Sequence, residues 1–408
     1  MPDTLGIYVS IPFCRAKCSY CNFASGVFGS ERMAAYVERL ADEVRASREK
    51  ARAWNAVLPE SVDSLYFGGG TPSLLSPEQM RQILQAVREV FSVDANAEIT
   101  LECAPGQLSD ELLHALPDFG FNRVSLGVQS FVDREAAAVG RLHTRATTLE
   151  EIARLRRAGI DDINVDLIAG LPHQTLASWQ ESLDAAIAAG VPHLSVYMLD
   201  VDEDSRLGRE ILAGGTRYGV GLVPREETIA AMYNEACEQF FAAGVAQYEI
   251  SNFARAGHAS RHNLKYWTRQ PYLGFGLDAH SFLPAIEGAA MRVGNSDDLT
   301  QYLDGSADET LTPVSVIEAV EEAWFLGLRL VAGVSLQEME AKIGPFAMRS
   351  LQPVLAECEQ QGLIERGGAC VRLTQQGRLF ANDVFARFLG VAQQQDSHRE
   401  FAEEGALV

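Results

Sequence analysis

Three cysteines fall within eight residues near the start of the chain. They are Cys14, Cys18 and Cys21, in the spacing C-x-x-x-C-x-x-C. Thiolates are soft metal ligands, and three on one loop can hold three irons of a [4Fe–4S] cube while the fourth iron has no protein ligand. An open coordination position marks a reactive metal rather than a closed, structural one. The competing assignment is structural zinc, which would want a fourth Cys or His, usually in two C-x₂-C pairs. None lies nearby. Cys103, Cys237, Cys358 and Cys370 are scattered singly and read as buried apolar thiols. Seven cysteines in 408 residues are too few for a disulfide framework. Clustered thiols of this kind suit a reducing compartment, and the expected location is the cytoplasm.

The elements around the cysteines place them. An apolar, β-branched run (LGIYVS, from Leu5) leads directly into the cysteine loop. Similar runs begin near Ser64, Glu98, Arg123, Ile163 and His193, and amphipathic helical stretches at 31–53, 76–90, 109–116, 148–158 and 176–189 lie between most of them. Ser76-Pro77 reads as an N-cap and first helical residue, Thr148 with Glu151 as a capping box, and Gly159 and Gly190 as helix stops. Six strand–helix repeats imply parallel strands with right-handed crossovers, in a doubly wound sheet or a partial (β/α)6 barrel. Either fold gathers its chemistry at the C-terminal ends of the strands. Gly68-Gly69-Gly70-Thr71-Pro72 closes the second strand, Glu102 ends the third, Gln129 ends the fourth and Asp166 lies within the fifth. Arg141 follows the next helix and is suited to meeting a carboxylate bidentately. Each has a plainer reading: a βα turn, a satisfied core polar group, a surface arginine. Their joint placement at the cysteine end of the strands favours a site.

The middle of the chain is less regular. It holds a helix at 225–243, a Gly- and aromatic-rich stretch at 248–282 and a polar, acidic segment at 294–311 that reads as a linker. The last part suggests helices at 316–330, 335–343 and 348–361, a hairpin around Gly367-Gly368, and a helix at 374–388. Three helices and a hairpin wing look like a winged-helix module. The expected division is 1–210, 211–305, 306–390 and a mobile Gln-, Ser- and Glu-rich tail at 391–408.

Charge narrows the partners. Asp plus Glu number 55 against 34 Lys plus Arg, a formal charge of −21, so the winged-helix-like module lacks the basic footprint that nucleic acid demands. No apolar run approaches the roughly 18 residues of a membrane span, and the first ten residues lack a basic n-region and a long apolar h-region, so neither a membrane span nor a secretory signal is expected.

The segments IPFC-x-x-x-C-x-x-C, GGGTPS, GVQSF, N-x-D-L-I-x-G-L-P-x-Q-T, YEISNFA, RHNLKYW and GFG-x-x-AHSF narrow the reading further. Together they resemble the radical S-adenosylmethionine (SAM) enzymes, within them the oxygen-independent coproporphyrinogen III dehydrogenase superfamily, and most of all its HemW family of haem chaperones. The resemblance implies a partial (β/α)6 radical SAM barrel with a C-terminal winged-helix-like α+β domain. It implies a [4Fe–4S] cluster on Cys14, Cys18 and Cys21, with SAM on the open iron and an external electron donor to reduce the cluster. Tyr8 matches a SAM-contacting tyrosine, Gly69, Gly70 and Thr71 the glycine-rich SAM contacts, and Glu102 the acidic one. Tyr20, Gln129, Arg141 and Asp166 match residues around a second SAM. The stretch His262-Asn263-Leu264-Lys265-Tyr266-Trp267 matches the H-N-x-x-Y-W motif of the family and implies a haem site, with His262 a candidate ligand and Tyr266 and Trp267 offering flat apolar surface. The alternative for His262 is a structural histidine in an aromatic cluster; His280 is a second ligand candidate. Acceptor haemoproteins are the implied partners. Against the dehydrogenase itself, Phe23 stands where that motif carries a further cysteine, and the N-terminal extension expected before the motif is missing. The competing functions are that dehydrogenase or a related radical SAM haem-modifying enzyme, and a nucleic-acid-binding regulator that the acidic charge opposes.

Overall fold

The computed structural model describes residues 4–390; the expected tail at 391–408 lies outside the described residues. Every expected strand of the first half forms: β1 (Leu5–Ile11), β2 (Ser61–Gly69), β3 (Ser92–Cys103), β4 (Arg123–Gln129), β5 (Asp162–Ala169) and β6 (His193–Met198). They pair in chain order and all in parallel. The crossovers carry α1 (Ser30–Ala53), α2 (Pro77–Val90), α3 (Asp110–Phe119), α4 (Asp133–Ala138), α5 (Arg145–Arg157) and α6 (Leu176–Ala189). Helix α2 starts as the sequence indicates, with a reciprocal Ser76–Gln79 capping box and Pro77 in the first turn. The start of α5 does not. Thr144, one turn before Thr148, takes the capping role by accepting from Thr147 N. Thr148 lies buried inside the helix, and Glu151 accepts from Gly106 N and pairs with Arg154.

Alternation along the strands sorts the side chains into two environments. Val9, Phe67, Leu101, Leu126, Val165 and Val196 face the helices and are fully or almost fully buried in the main core. The opposite, inward face is polar at nearly every level: Tyr8, Tyr66, Glu102, Ser125, Asp166, His193 and Ser195. Buried polar groups must find partners, and these do so across the barrel. Ser125 donates to Asp166 at 2.9 Å, Asn164 donates to both at 2.7–2.8 Å, and His193 Nδ1 lies 2.7 Å from Asn164.

The middle of the chain extends this sheet on both flanks, after α7 (Arg206–Leu212) and α8 (Glu226–Ala242). At the β6 edge, β7 (Ala246–Gln247) and β8 (Asn252–Ala254) add antiparallel strands. After α9 (Arg261–Trp267), β9 (Tyr272–Phe275) lies parallel to β1, and β10 (His280–Pro284), β11 (Ala290–Gly294) and, beyond α10 (Leu299–Asp304), β12 (Thr310–Val314) continue antiparallel. The result is a 12-stranded open sheet. The segment at 294–311 is therefore no linker. It contributes α10 and part of β12, and Glu309 accepts from both Lys50 and Trp54 on and beside α1. The large sheet thus runs past the boundary expected at 305.

The C-terminal module has its own core. It comprises α11 (Val316–Gly327), β13 (Val334–Ser335), α12 (Leu336–Gln360), β14 (Ile364–Gly367), β15 (Cys370–Leu373), α13 (Gln375–Leu379) and α14 (Ala381–Ala386). The two helices expected at 335–343 and 348–361 are one. Gly344-Pro345 reads as a break, but Met339, Met348, Leu351 and Leu355 share one apolar core with Trp324 and Phe388, and that packing outweighs local propensity. Conversely, the expected 374–388 helix divides at Phe380, whose φ of −109° and ψ of 28° leave the helical region.

Candidate metal and cofactor site

The loop after β1 is held by backbone bonds before any metal is considered. Cys14 N donates to Gly26 O at 2.8 Å, Gly26 N to Pro12 O at 2.9 Å, and Ser19 N to Val139 O at 3.1 Å. Lys17 Nζ ties the loop's return by donating to the carbonyls of Phe23 and Ser25, each at 3.0 Å. The glycine turn after β2 clamps the other side. Gly70 N and Thr71 N each donate at 2.8 Å, to Ile11 O and Phe13 O. A Cβ on Gly70 would lie 2.8 Å from those same two carbonyls and 3.0 Å from Cys14 Sγ, so only glycine permits this approach. Gly69 adopts a φ of +99° to make the turn.

Cys14, Cys18 and Cys21 line one cavity of about 430 Å³. Tyr20, Gly69, Gly70, Thr71, Glu102, Gln129, Arg141 and Asp166 line it too. All of these predicted site residues are brought together; Tyr8 faces an adjoining cavity instead. Among the described residues no three His, Cys, Asp or Glu side chains converge as they would around one metal ion. An iron–sulfur cube makes no such demand, because each thiolate binds a different iron. The donor set, three thiols on one loop over a cavity, fits the cube. The opposite wall fits a polar ligand: Gln129 Oε1 and Arg141 Nε are buried without a partner, and Gln129 is held at a φ of +64°, a strained conformation for a residue with a side chain.

Charge in the cavity is tuned by burial. Desolvation pushes Glu102 up to about 7, against the opposing pull of the Tyr66 hydroxyl, which donates to its Oε1 at 2.9 Å. Burial also raises Asp166, opposed by hydrogen bonds that include those from Asn164 and Ser125. Among the cations lining the cavity, Arg141 places Nη1 3.5 Å from Cys18 Sγ and donates through Nη2 to Gly127 O.

Several lining residues were not anticipated. Tyr66 and Tyr197 face the cavity from β2 and β6, and strict alternation with Phe67 and Val196 was the signal that would have found them. Cys103, expected to be a remote buried thiol, ends β3 in the cavity wall. Burial pushes it up to about 12, which keeps it a protonated thiol.

The second cavity, about 440 Å³, shares Asn22, Phe23 and Gly69 with the first and is lined also by Tyr8, Tyr266, Tyr272 and His280. The H-N-x-x-Y-W stretch forms α9, which sets His262 and Tyr266 on one face at i, i+4. Helix α9 packs across the starts of the barrel strands. Glu98 at β3 accepts from Arg261 N, His262 N and Ser260 Oγ, and Lys265 pairs with Asp63 at 2.8 Å. His262 is 1% exposed, with Nδ1 3.0 Å from Ser64 Oγ and Nε2 2.8 Å from the Tyr266 hydroxyl. Both ring nitrogens are thus engaged, within an aromatic cluster that includes Tyr66 and Tyr266. Trp267 packs outward, under the Arg329 guanidinium at 4.2 Å, and so links α9 to the C-terminal module.

An open (β/α)6 sheet with a three-cysteine loop after its first strand and a glycine turn after its second defines the class. The chain carries a radical SAM domain: the Radical SAM superfamily model matches residues 8–186, and the HemN C-terminal domain model residues 314–380. The chain is 34% identical to the haem chaperone HemW of Bacillus subtilis (strain 168), over 94% of its own length and 98% of the relative's. It is 32% identical to the mitochondrial radical S-adenosyl methionine domain-containing protein 1 of Bos taurus, over 89% and 83%. The solved coproporphyrinogen III oxidase (HemN) from Escherichia coli shares the fold, with a TM-score of 0.79, 22% identity and coverage of 95% of this chain and 90% of that one. The chain belongs to the HemW family of haem chaperones.

Proposed function

We propose that this protein binds a [4Fe–4S] cluster through Cys14, Cys18 and Cys21, SAM beside it, and haem in the adjoining cavity, and that it passes haem to acceptor haemoproteins. The observation that carries this reading is the pair of cavities with a common wall at Asn22, Phe23 and Gly69, one lined by the three thiols and the other by aromatic side chains. The cluster would supply an open iron able to chelate SAM and, once reduced by an external donor, an electron. Gly69, Gly70 and Thr71 give backbone access to SAM, Glu102 offers a carboxyl poised near neutrality, and Gln129 and Arg141 offer unpartnered polar atoms. Tyr20 and Asp166 complete that wall, while Tyr8 lines the second cavity. There Tyr266 and Tyr272 present aromatic surface for a porphyrin.

Among the described residues no helix is long and apolar enough to cross a membrane. The acidic surface argues against nucleic acid as a partner, and a cytoplasmic location suits the unpaired thiols. Phe23, in place of the further cysteine of the dehydrogenase motif, speaks against conversion of coproporphyrinogen. Anaerobic reconstitution tests the whole reading: iron and sulfide analysis, SAM perturbation of the reduced cluster's electron paramagnetic resonance, haem titration, transfer to an apo-haemoprotein, and a coproporphyrinogen turnover assay. Steady turnover without haem retention would replace the chaperone reading with the enzymatic one.

A further inference from the structure

We propose that His280 is the axial ligand of the haem iron, with the porphyrin seated in the tyrosine-lined cavity beside the cysteine loop. This rests on the haem-binding reading above and names the ligand that reading lacks, since both nitrogens of His262 are engaged inside the barrel.

Three features of the cavity carry it. First, the imidazole is presented to solvent. The His280 side chain is 69% exposed and lines the cavity. The Asp278 carboxylate lies 3.9 Å from its Nε2. That is beyond hydrogen-bond length, so Asp278 does not occupy the nitrogen. Neutral imidazole is a good haem-iron ligand.

Second, the backbone that bears the ring is fixed while the ring itself has room. His280 opens β10, which lies so close to β9 that a Cβ on Gly274 would fall 2.3 Å from His280 O. On the other side its register partner is Gly294 of β11. A Cβ there would lie 3.2 Å from both Cε1 and Nδ1 of the ring, so glycine leaves the imidazole its place over the strand. Asp278, held at a φ of +55° with its N–H donating to Ser296 O at 2.9 Å, shapes the turn that delivers His280 to the cavity mouth.

Third, the walls suit a flat apolar macrocycle. Tyr266 and Tyr272 meet edge to face at 4.6 Å, and Phe23, 59% exposed, closes the side next to the cysteine loop. Burying Phe23 against a porphyrin would remove apolar area from water.

The test uses the full-length, anaerobically reconstituted protein titrated with ferric haem, followed by its Soret band, its ferric electron paramagnetic resonance and its rate of haem loss to an excess of apo-haemoprotein. His280→Ala should shift the Soret band and speed haem loss on the order of tenfold or more, and added imidazole should restore the wild-type spectrum. Gly294→Val, which crowds the ring without removing it, should also weaken retention. His262→Gln should leave the spectrum unchanged. A wild-type Soret band and retention in His280→Ala, or loss of the band in His262→Gln alone, overturns this assignment and leaves haem binding standing. Failure of the wild-type protein to retain haem overturns the haem-binding reading itself.

Discussion

Nη1 of Arg141 lies 3.5 Å from Sγ of Cys18, across 123 positions of sequence, and the same guanidinium donates through Nη2 to the carbonyl of Gly127 on β4. One cation thus joins the loop after β1 to the end of β4. Arginine keeps its charge in such a buried position, so the cysteine loop faces a permanent positive charge. That charge stabilises added negative charge on a cluster held there. Arg141→Met should therefore leave the fold intact but lower the cluster's reduction potential and its retention of iron. Redox titration monitored by electron paramagnetic resonance reads both; an unchanged potential would remove Arg141 from the site.

Cluster assembly should depend on Cys14, Cys18 and Cys21 and on no other cysteine. Cys103 is the demanding control, because it lines the same cavity. Its thiol is pushed up to about 12 by burial, and iron binds the thiolate. Cys18→Ala should abolish bound iron and sulfide, while Cys103→Ala should retain them. Equal loss in both variants would disprove the three-ligand site.

Glu102 gives a pH signature. Its carboxyl is raised by burial from 4.5 to about 7, so the folded chain holds a proton that the unfolded chain has released. Stability should therefore fall as pH rises through the window from 4.5 to 7, and the cost should be complete above it. Glu102→Gln keeps an acceptor for Tyr66 and removes the buried charge. Without SAM, the variant should match the wild type at pH 4 and exceed it at pH 8, by roughly 3 kcal/mol at most. Thermal melts at the two pH values check this, and a variant less stable at pH 8 contradicts it.

Strand order, the cysteine loop and the strand-end polar groups were legible because each has a local signal: alternation, spacing, or a turn residue. What the sequence concealed depended on long-range packing. Nothing near residue 309 says that Glu309 will bond Lys50 and Trp54 and make an acidic stretch part of the fold. Nothing in Gly344-Pro345 shows that the core around Trp324 will carry one helix through it. The case of His262 is subtler. The motif names His262 and Tyr266, but the third partner, Ser64 on β2, is brought to the imidazole only by the fold.

This contact yields the last prediction. Removing the His262 imidazole strips a partner from both Ser64 and Tyr266 and leaves a void beneath Tyr66, whose ring centroid is 5.3 Å away. Unsatisfied buried hydroxyls and a small cavity together cost about 2–4 kcal/mol, so His262→Ala should melt several degrees below the wild type. The histidine also carries a pH dependence of opposite sign to that of Glu102. Burial, then the charge of Lys265, lowers it from 6.5 to about 3. The folded chain keeps it neutral while the unfolded chain takes up a proton, so its contribution is whole above pH 6.5 and is lost as pH falls from 6.5 toward 3. His262→Gln retains hydrogen-bonding capacity without titrating. Between pH 6.5 and 5 the wild-type melting temperature should therefore fall more steeply than that of His262→Gln, while the buried His193 contributes equally to both. Superimposable curves would mean that the imidazole is not sealed beneath the barrel, and that the motif's histidine is open to a ligand after all.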